Sequence, residues 1–344
     1  MNMSIRITII GVCIFACFGI LHGSSSYPSK NTEKVHLSIL NGKYGKISGV
    51  VVYKSDRIVF ENYYGFSQPN TLHPISSVTK SITSIAVGIC IDKGFIKSIN
   101  TPIYKYFPDY KLIFEKDSTK KSITIEHLLN QTSGFKWDEW TIHYSYAGNP
   151  LIDLGHNPNN WMDFILSLPM INKPGESFTY NSCNSEILKE IICRASGLDF
   201  AQLLIDNLFS PLDIHNFYWE HYAGNREPAW GGLSLTTRDM AKIGLLALNQ
   251  GVYKGKRVIS GEWMAKSISP QIKAGKVNYG LHWWVAQQYD GSNMVYAAGY
   301  GDQYIYILPS KSIVIAINAQ NFTDFKFEKS IDNLVQEIIN SFSI

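Results

Sequence analysis

The pair of side chains best spaced for chemistry is Ser77 and Lys80, in Pro74-Ile75-Ser76-Ser77-Val78-Thr79-Lys80-Ser81-Ile82. On a helix, a spacing of three sets the hydroxyl and the amine on neighbouring positions one turn apart. A serine hydroxyl is a weak nucleophile at neutral pH, and a lysine kept from water sheds its charge, so the amine can take the hydroxyl proton. The start of a helix adds unpaired N–H groups and a positive dipole end, where a negative acyl oxygen would develop during attack. Ordinary helix chemistry offers a plainer reading, a serine N-cap followed by an exposed lysine. A second copy, Ser118-Thr119-Lys120-Lys121, has no apolar helix behind it and is expected to be a solvated loop.

Two further clusters could act with this pair. Tyr180 falls in Pro174-Gly175-Glu176-Ser177-Phe178-Thr179-Tyr180-Asn181-Ser182-Cys183-Asn184, a turn leading into a helical pattern. A phenol beside a lysine ammonium ionises more easily, which makes Tyr180 a candidate base toward Ser77 and acid toward a leaving group. A packed tyrosine with a satisfied hydroxyl is the simpler alternative. The third cluster is Ala297-Ala298-Gly299-Tyr300-Gly301-Asp302-Gln303, whose glycines let a strand edge approach a substrate or simply make a tight turn. Its spacing is not that of a dinucleotide-binding loop. The nine histidines show no metal-ligand spacing and no phosphate-binding loop is present, so neither metal nor cofactor is expected.

The elements that must hold these groups follow from periodicity. Ile82, Ile85, Ala86 and Ile89 recur at helical spacing, which predicts a helix from about Ser76 or Ser77 with Gly94 as its stop. Residues 49–53 and 57–61 flank Lys54-Ser55-Asp56 as a hairpin. Ser122 to Leu129 opens a short helix, and Trp137 to Trp161 reads as an irregular, aromatic stretch that either walls a cleft or packs onto the body. Helices are predicted up to Gly197, Pro211 and Gly251, the last opened by Thr236-Thr237-Arg238-Asp239. Asn293 to Ala298, Gln303 to Leu308 and Ser312 to Asn318 read as strands, followed by an amphipathic helix from Ile331 to Phe342. Strands near both ends with helices between predict an α/β (α+β) fold: one antiparallel sheet built from both chain ends, flanked by helices, with a mostly helical insertion. The expected units are 24–110 with 255–344, and 111–254.

Composition narrows the setting. The 344 residues are 45% hydrophobic and 17% charged, with a net charge of +3 and no run of five like charges, so the chain is globular and nucleic-acid binding is not suggested. Residues 1–23 carry Arg6, then an apolar run from Ile7 to Leu21, then small residues. At about 15 residues the run is short for a bilayer core that takes about 20, so it reads as a secretory signal and the chain as periplasmic or secreted. An uncleaved anchor, the one expected membrane contact, and lipidation at Cys17 are lesser alternatives. Cys90, Cys183 and Cys193 are odd in number and do not indicate a disulfide framework, although a single pair would leave one thiol over.

Taken in order, Ser77-Val78-Thr79-Lys80, His127-Leu128-Leu129-Asn130-Gln131-Thr132-Ser133-Gly134, Pro174-Gly175-Glu176 to Tyr180, Gly231-Gly232-Leu233 and the Gly299 cluster resemble the serine β-lactamase and penicillin-binding-protein superfamily. Within it, the chain is most similar to the class C-like branch that includes esterases and 6-aminohexanoate-oligomer hydrolases. The resemblance runs from about residue 46 to 340. It implies a β-lactamase/transpeptidase-like fold, with Ser77 as acylated nucleophile, Lys80 as its activating partner and Tyr180 as second acid/base. It also implies an oxyanion hole from the Ser77 N–H and the Gly299 to Gln303 strand edge, with Gly299, Gly301 and Gln303 as the binding residues there. Two departures matter. Many relatives carry Tyr-x-Asn, whereas here the amide position falls to Ser182 or to Asn184. No Lys-Thr-Gly opens the last hairpin, so the cation that receives a β-lactam carboxylate is missing, and Lys273-Ala274-Gly275 lies too early to replace it. The expected function is therefore an exported serine hydrolase acting on a small ester or amide. The alternatives are a β-lactamase or D-Ala-D-Ala carboxypeptidase-like enzyme, and an inactive binding protein on the same fold. Oligomeric state is not legible.

Overall fold

The computed structural model describes residues 30–342 apart from 145, 158–159, 223–225, 289–290 and 323–329. The signal reading of residues 1–23, with Cys13 and Cys17, lies outside the described residues. In chain order, helix α1 (Lys30–Leu40) precedes the hairpin of β1 (Ile47–Lys54) and β2 (Arg57–Tyr63). Helices α2 (Thr79–Asp92), α3 (Cys183–Ser196) and α4 (Thr237–Leu248) are the main ones of the middle of the chain. Strands β3 (Ile272–Ala274), β4 (Val277–Tyr279), β5 (Trp284–Gln287), β6 (Asn293–Gly299), β7 (Gln303–Leu308) and β8 (Ile313–Ala319) follow, and helix α5 (Ser330–Phe342) closes the chain.

The strands form one eight-stranded sheet in the order β2-β1-β8-β7-β6-β5-β4-β3. Its pairings are antiparallel, and the two chain ends meet where Val50 faces Ile317 and Val52 faces Ile315. Side chains alternate between faces, as a pleated strand requires. Val50, Val52, Ile313, Ile315 and Ile317 point into a core covered by Val35 and Ile39 of α1 and by Ile331, Leu334, Val335, Ile338 and Ile339 of α5. Val51, Val314 and Ala316 point the other way, into a larger core shared with α2, α3 and α4. Both faces are therefore buried, and α2 sits at the heart of the second core with every residue from Thr79 to Cys90 buried.

Local expectations were met unevenly. Thr236 caps α4 by accepting the Asp239 N–H, and Gly197 ends α3 in the left-handed region, as predicted. Residues 118–121 are a helical turn capped by Asp117 rather than a loop; Ser118 and Lys121 are exposed, but Lys120 is buried and donates to the Leu166 carbonyl. The stretch expected to be irregular holds a helix at Pro150–His156, with proline in its first turn and Asn149 as cap. Cys90, Cys183 and Cys193 are all free thiols.

Candidate active site

The turn before α2 is a short 3-10 segment, Ser76–Val78, so the helical path begins where periodicity placed it. Ser76 has φ +48, a conformation that costs a non-glycine residue about 1 kcal/mol or more. Three bonds hold it: Ile75 N–H donates to Leu233 O (2.9 Å), Ser76 Oγ donates to Tyr300 O (3.0 Å) and Thr79 Oγ1 donates to Ser76 O (2.8 Å). Ser77 is left half-buried with its hydroxyl free of any capping role. Lys80 is 1% exposed, which rules out the solvated lysine of the plainer reading. Its Nζ donates to Ser77 Oγ at 2.9 Å and to Trp230 O at 3.1 Å. Burial draws the Lys80 pKa down from 10.5 to about 8, against the opposing pull of Glu139.

Tyr180 joins this pair. Its ring lies 5.0 Å from Lys80 Nζ and is stacked between Trp140 (centroids 5.1 Å apart) and Trp284 (5.9 Å). The expectation that the neighbouring ammonium eases its ionisation fails. Burial, reinforced by the charge of Glu139, holds the phenol well above the usual tyrosine range, and the Ser77 hydroxyl only partly offsets this. At neutral pH Tyr180 keeps its proton, and Lys80 is the group poised to accept one.

The remaining candidates divide. Ser182 is fully buried; its N–H and Oγ donate to Glu139 Oε2 and Oε1, both at 2.8 Å. Asn184 turns to Gln131, donating to Oε1 at 2.7 Å. Neither lines a cleft at Ser77, so neither stands where a substrate amide contact was expected. Glu139 was missed by the sequence reading. It also accepts from Trp137 Nε1 (2.6 Å) and the Tyr144 hydroxyl (2.9 Å). An acid flanked by indoles in Trp137-Asp138-Glu139-Trp140 was the signal that could have flagged it.

The strand edge of β6 meets the Ser77 turn directly. A Cβ at Gly299 would lie 2.3 Å from the Ile75 carbonyl oxygen, so only glycine permits this approach. Gly301 has φ +85, and a Cβ there would meet the Phe322 ring at 2.3 Å. The Gln303 side chain does not face substrate space. It donates to Gly301 O (2.9 Å) and Ala319 O (2.6 Å) and accepts from Asn318 Nδ2 (2.8 Å), which ties the hairpin together. Lys273 lies on β3, three strands from β6 in the sheet order.

Two clefts meet at Ser77. One, of about 370 Å³, is walled by Trp140, Tyr144, Tyr180, Trp284, Tyr296 and Tyr300, with Gly299, Gly301 and Asp302 at its edge. The other, of about 520 Å³, is lined by Leu151, Ile152, Tyr218, Tyr222, Trp230 and Glu220. Tyr144 and Tyr300 border both. Among the described lining residues, the charged side chains are Asp302 and Glu220, and no lysine or arginine takes part.

Comparison with known proteins places the chain in a family. A family model described as Beta-lactamase matches residues 42–338. The 6-aminohexanoate-dimer hydrolase of Paenarthrobacter ureafaciens is 24% identical over 290 residues, covering 77% of this chain and 70% of that protein. Among solved structures, a putative 6-aminohexanoate-dimer hydrolase from Bacillus anthracis has TM-score 0.75 at 21% identity, covering 88% of this chain and 80% of its own. EstCE1, described as a hydrolase with promiscuous acyltransferase activity, has TM-score 0.72 at 14% identity, covering 89% and 97%. The two structures share the fold.

Proposed function

The chain belongs to the beta-lactamase family, and from that premise we propose that it is an exported serine hydrolase that forms an acyl-enzyme on Ser77 from a small ester or amide and releases it with water. The observation that carries this reading is the 2.9 Å contact from a fully buried Lys80 amine to the Ser77 hydroxyl. With its pKa drawn to about 8, a useful fraction of Lys80 is the free amine near neutral pH. That amine takes the Ser77 proton as Oγ attacks the substrate carbonyl carbon. The oxyanion forms against the Ser77 N–H and a backbone N–H of the β6–β7 edge. As the tetrahedral intermediate collapses, the ester C–O or amide C–N bond breaks and the leaving group takes a proton from Tyr180, which Lys80 replenishes. Water then attacks the acyl-enzyme with the same groups in reverse.

Aromatic walls and acidic edges support a substrate without the carboxylate that β-lactams and D-Ala-D-Ala peptides carry. The 6-aminohexanoate-dimer hydrolases and the acyl-transferring hydrolase among the similar proteins support a hydrolase that works through acyl transfer. The apolar run from Ile7 to Leu21 supports export. A panel of chromogenic esters, anilides and nitrocefin, run on the mature protein and on Ser77→Ala, tests the proposal. Ester or anilide turnover that vanishes in Ser77→Ala is expected. Nitrocefin turnover exceeding that of every ester would favour the β-lactamase reading, and ligand binding with no acylation of Ser77 would favour a binding protein.

A further inference from the structure

We propose that Glu139 is a positioning residue that anchors the Tyr180 turn and serves as the buried counter-charge to Lys80. This deepens the hydrolase reading and rests on it for the roles of Lys80 and Tyr180.

Glu139 is 2% exposed, and its side chain is surrounded by donors. Oε2 takes two N–H groups that can only donate, from Trp137 and Ser182, and Oε1 takes the Ser182 and Tyr144 hydroxyls. Such a set satisfies a carboxylate, and at Oε2 both partners are donors with no lone pair to offer. The loop that carries Glu139 is itself pinned, because Asn149 Nδ2 donates to the Glu139 carbonyl at 3.0 Å. Ser182 stands two residues after Tyr180 and one before α3, so its two bonds to Glu139 fix the turn on which the phenol rides. One carboxylate therefore ties the Trp140–Tyr144 wall of the cleft to the Tyr180 turn.

The charges around Lys80 leave Glu139 as its answer. Cys183, at the start of α3, is a thiol pushed up by burial and Glu139, and so stays neutral. His282, before β5, is pushed down to about 3 by burial and by Lys80, and is neutral as well. Tyr180 keeps its proton. Glu186 on α3 is engaged with Lys189 at 2.7 Å and with the Ala229 N–H. Among the described residues, Glu139 is the remaining negative charge that acts on Lys80. Burial alone can carry a lysine down to about 5–6, where the amine is a poor base. The carboxylate holds Lys80 nearer neutrality and adds to the burial that keeps the Tyr180 proton in place for the leaving group.

The test is the pH profile of kcat/KM for ester hydrolysis in wild type, Glu139→Gln and Glu139→Asp. Removing the charge lowers the Lys80 pKa, so the acid limb of Glu139→Gln moves about 1 unit to lower pH, and Glu139→Asp stays near wild type. A purely structural role would lower the rate without moving the limb, and an unmoved or upward limb overturns the proposal. A second measurement needs no turnover: Tm of the same change made with Lys80 and with Lys80→Met. The Tm loss on Glu139→Gln should at least halve in the Lys80→Met background, including the case in which Glu139→Gln alone does not fold. Equal losses, or failure to fold in both backgrounds, overturn the counter-charge. An inactive enzyme with a coupled cycle would instead sink the hydrolase reading alone.

Discussion

Lys80 decides the behaviour of the site because an amine with 1% exposure cannot keep its solution pKa. With that value lowered to about 8, kcat/KM for a neutral ester should rise with pH and level off above about 8, a profile read directly in initial rates. The same shift links to stability. The folded chain holds fewer protons than the unfolded one between about 8 and 10.5, so the Lys80 contribution is fully present above that window and is lost as pH falls through about 8. Tyr180→Phe removes the proton donor and leaves the stacked ring, so kcat should fall by about 10²–10⁴ with a much smaller change in KM. Ser77 and Lys80 were legible because three residues of helix fix their separation. The Tyr180 protonation state and the roles of Ser182, Asn184 and Glu139 were not, because each depends on a partner 43 to 53 residues away or on burial that no local pattern encodes.

The elements bring these residues together through two close fits. Glycine at 299 lets β6 press against the Ser77 turn, and Gly299→Ala should push that edge away and lower kcat/KM by about 10²-fold, the scale on which a displacement of roughly 1 Å acts. On the opposite face, Ile338 is fully buried under the sheet. Ile338→Ala should cost about 3 kcal/mol in urea unfolding while leaving the ester kcat unchanged. The terminal strands were readable because their side chains alternate between two buried faces, and α5 because its apolar stripe is continuous. The Pro150–His156 helix and the turn at 118–121 were not readable. Each is too short to show a helical period, and both depend on capping by Asn149 and Asp117.

At the scale of the molecule, a sheet built from both chain ends is covered by α4, meets the Ser76–Val78 turn along β6 and β7, and leaves two clefts at one hydroxyl. The sheet, the two ends and their order along the chain were legible, since motifs in family order constrain the whole path. The clefts were legible in part: the 137–161 stretch, read as a cleft wall or a packed loop, does supply Trp140, Tyr144, Leu151 and Ile152, whereas Tyr218, Tyr222, Trp284 and Tyr296 come from segments far along the chain that no local pattern ties to Ser77. Ser77 sits at their junction, and the account stands or falls on its reactivity. Treating the mature protein with a fluorophosphonate probe and mapping the adduct by peptide mass spectrometry measures this directly. The account predicts one adduct, on the peptide holding Ser77, forming faster as pH rises toward about 8 and absent from Ser77→Ala. A folded protein that takes no label, or one labelled at another serine, would contradict it.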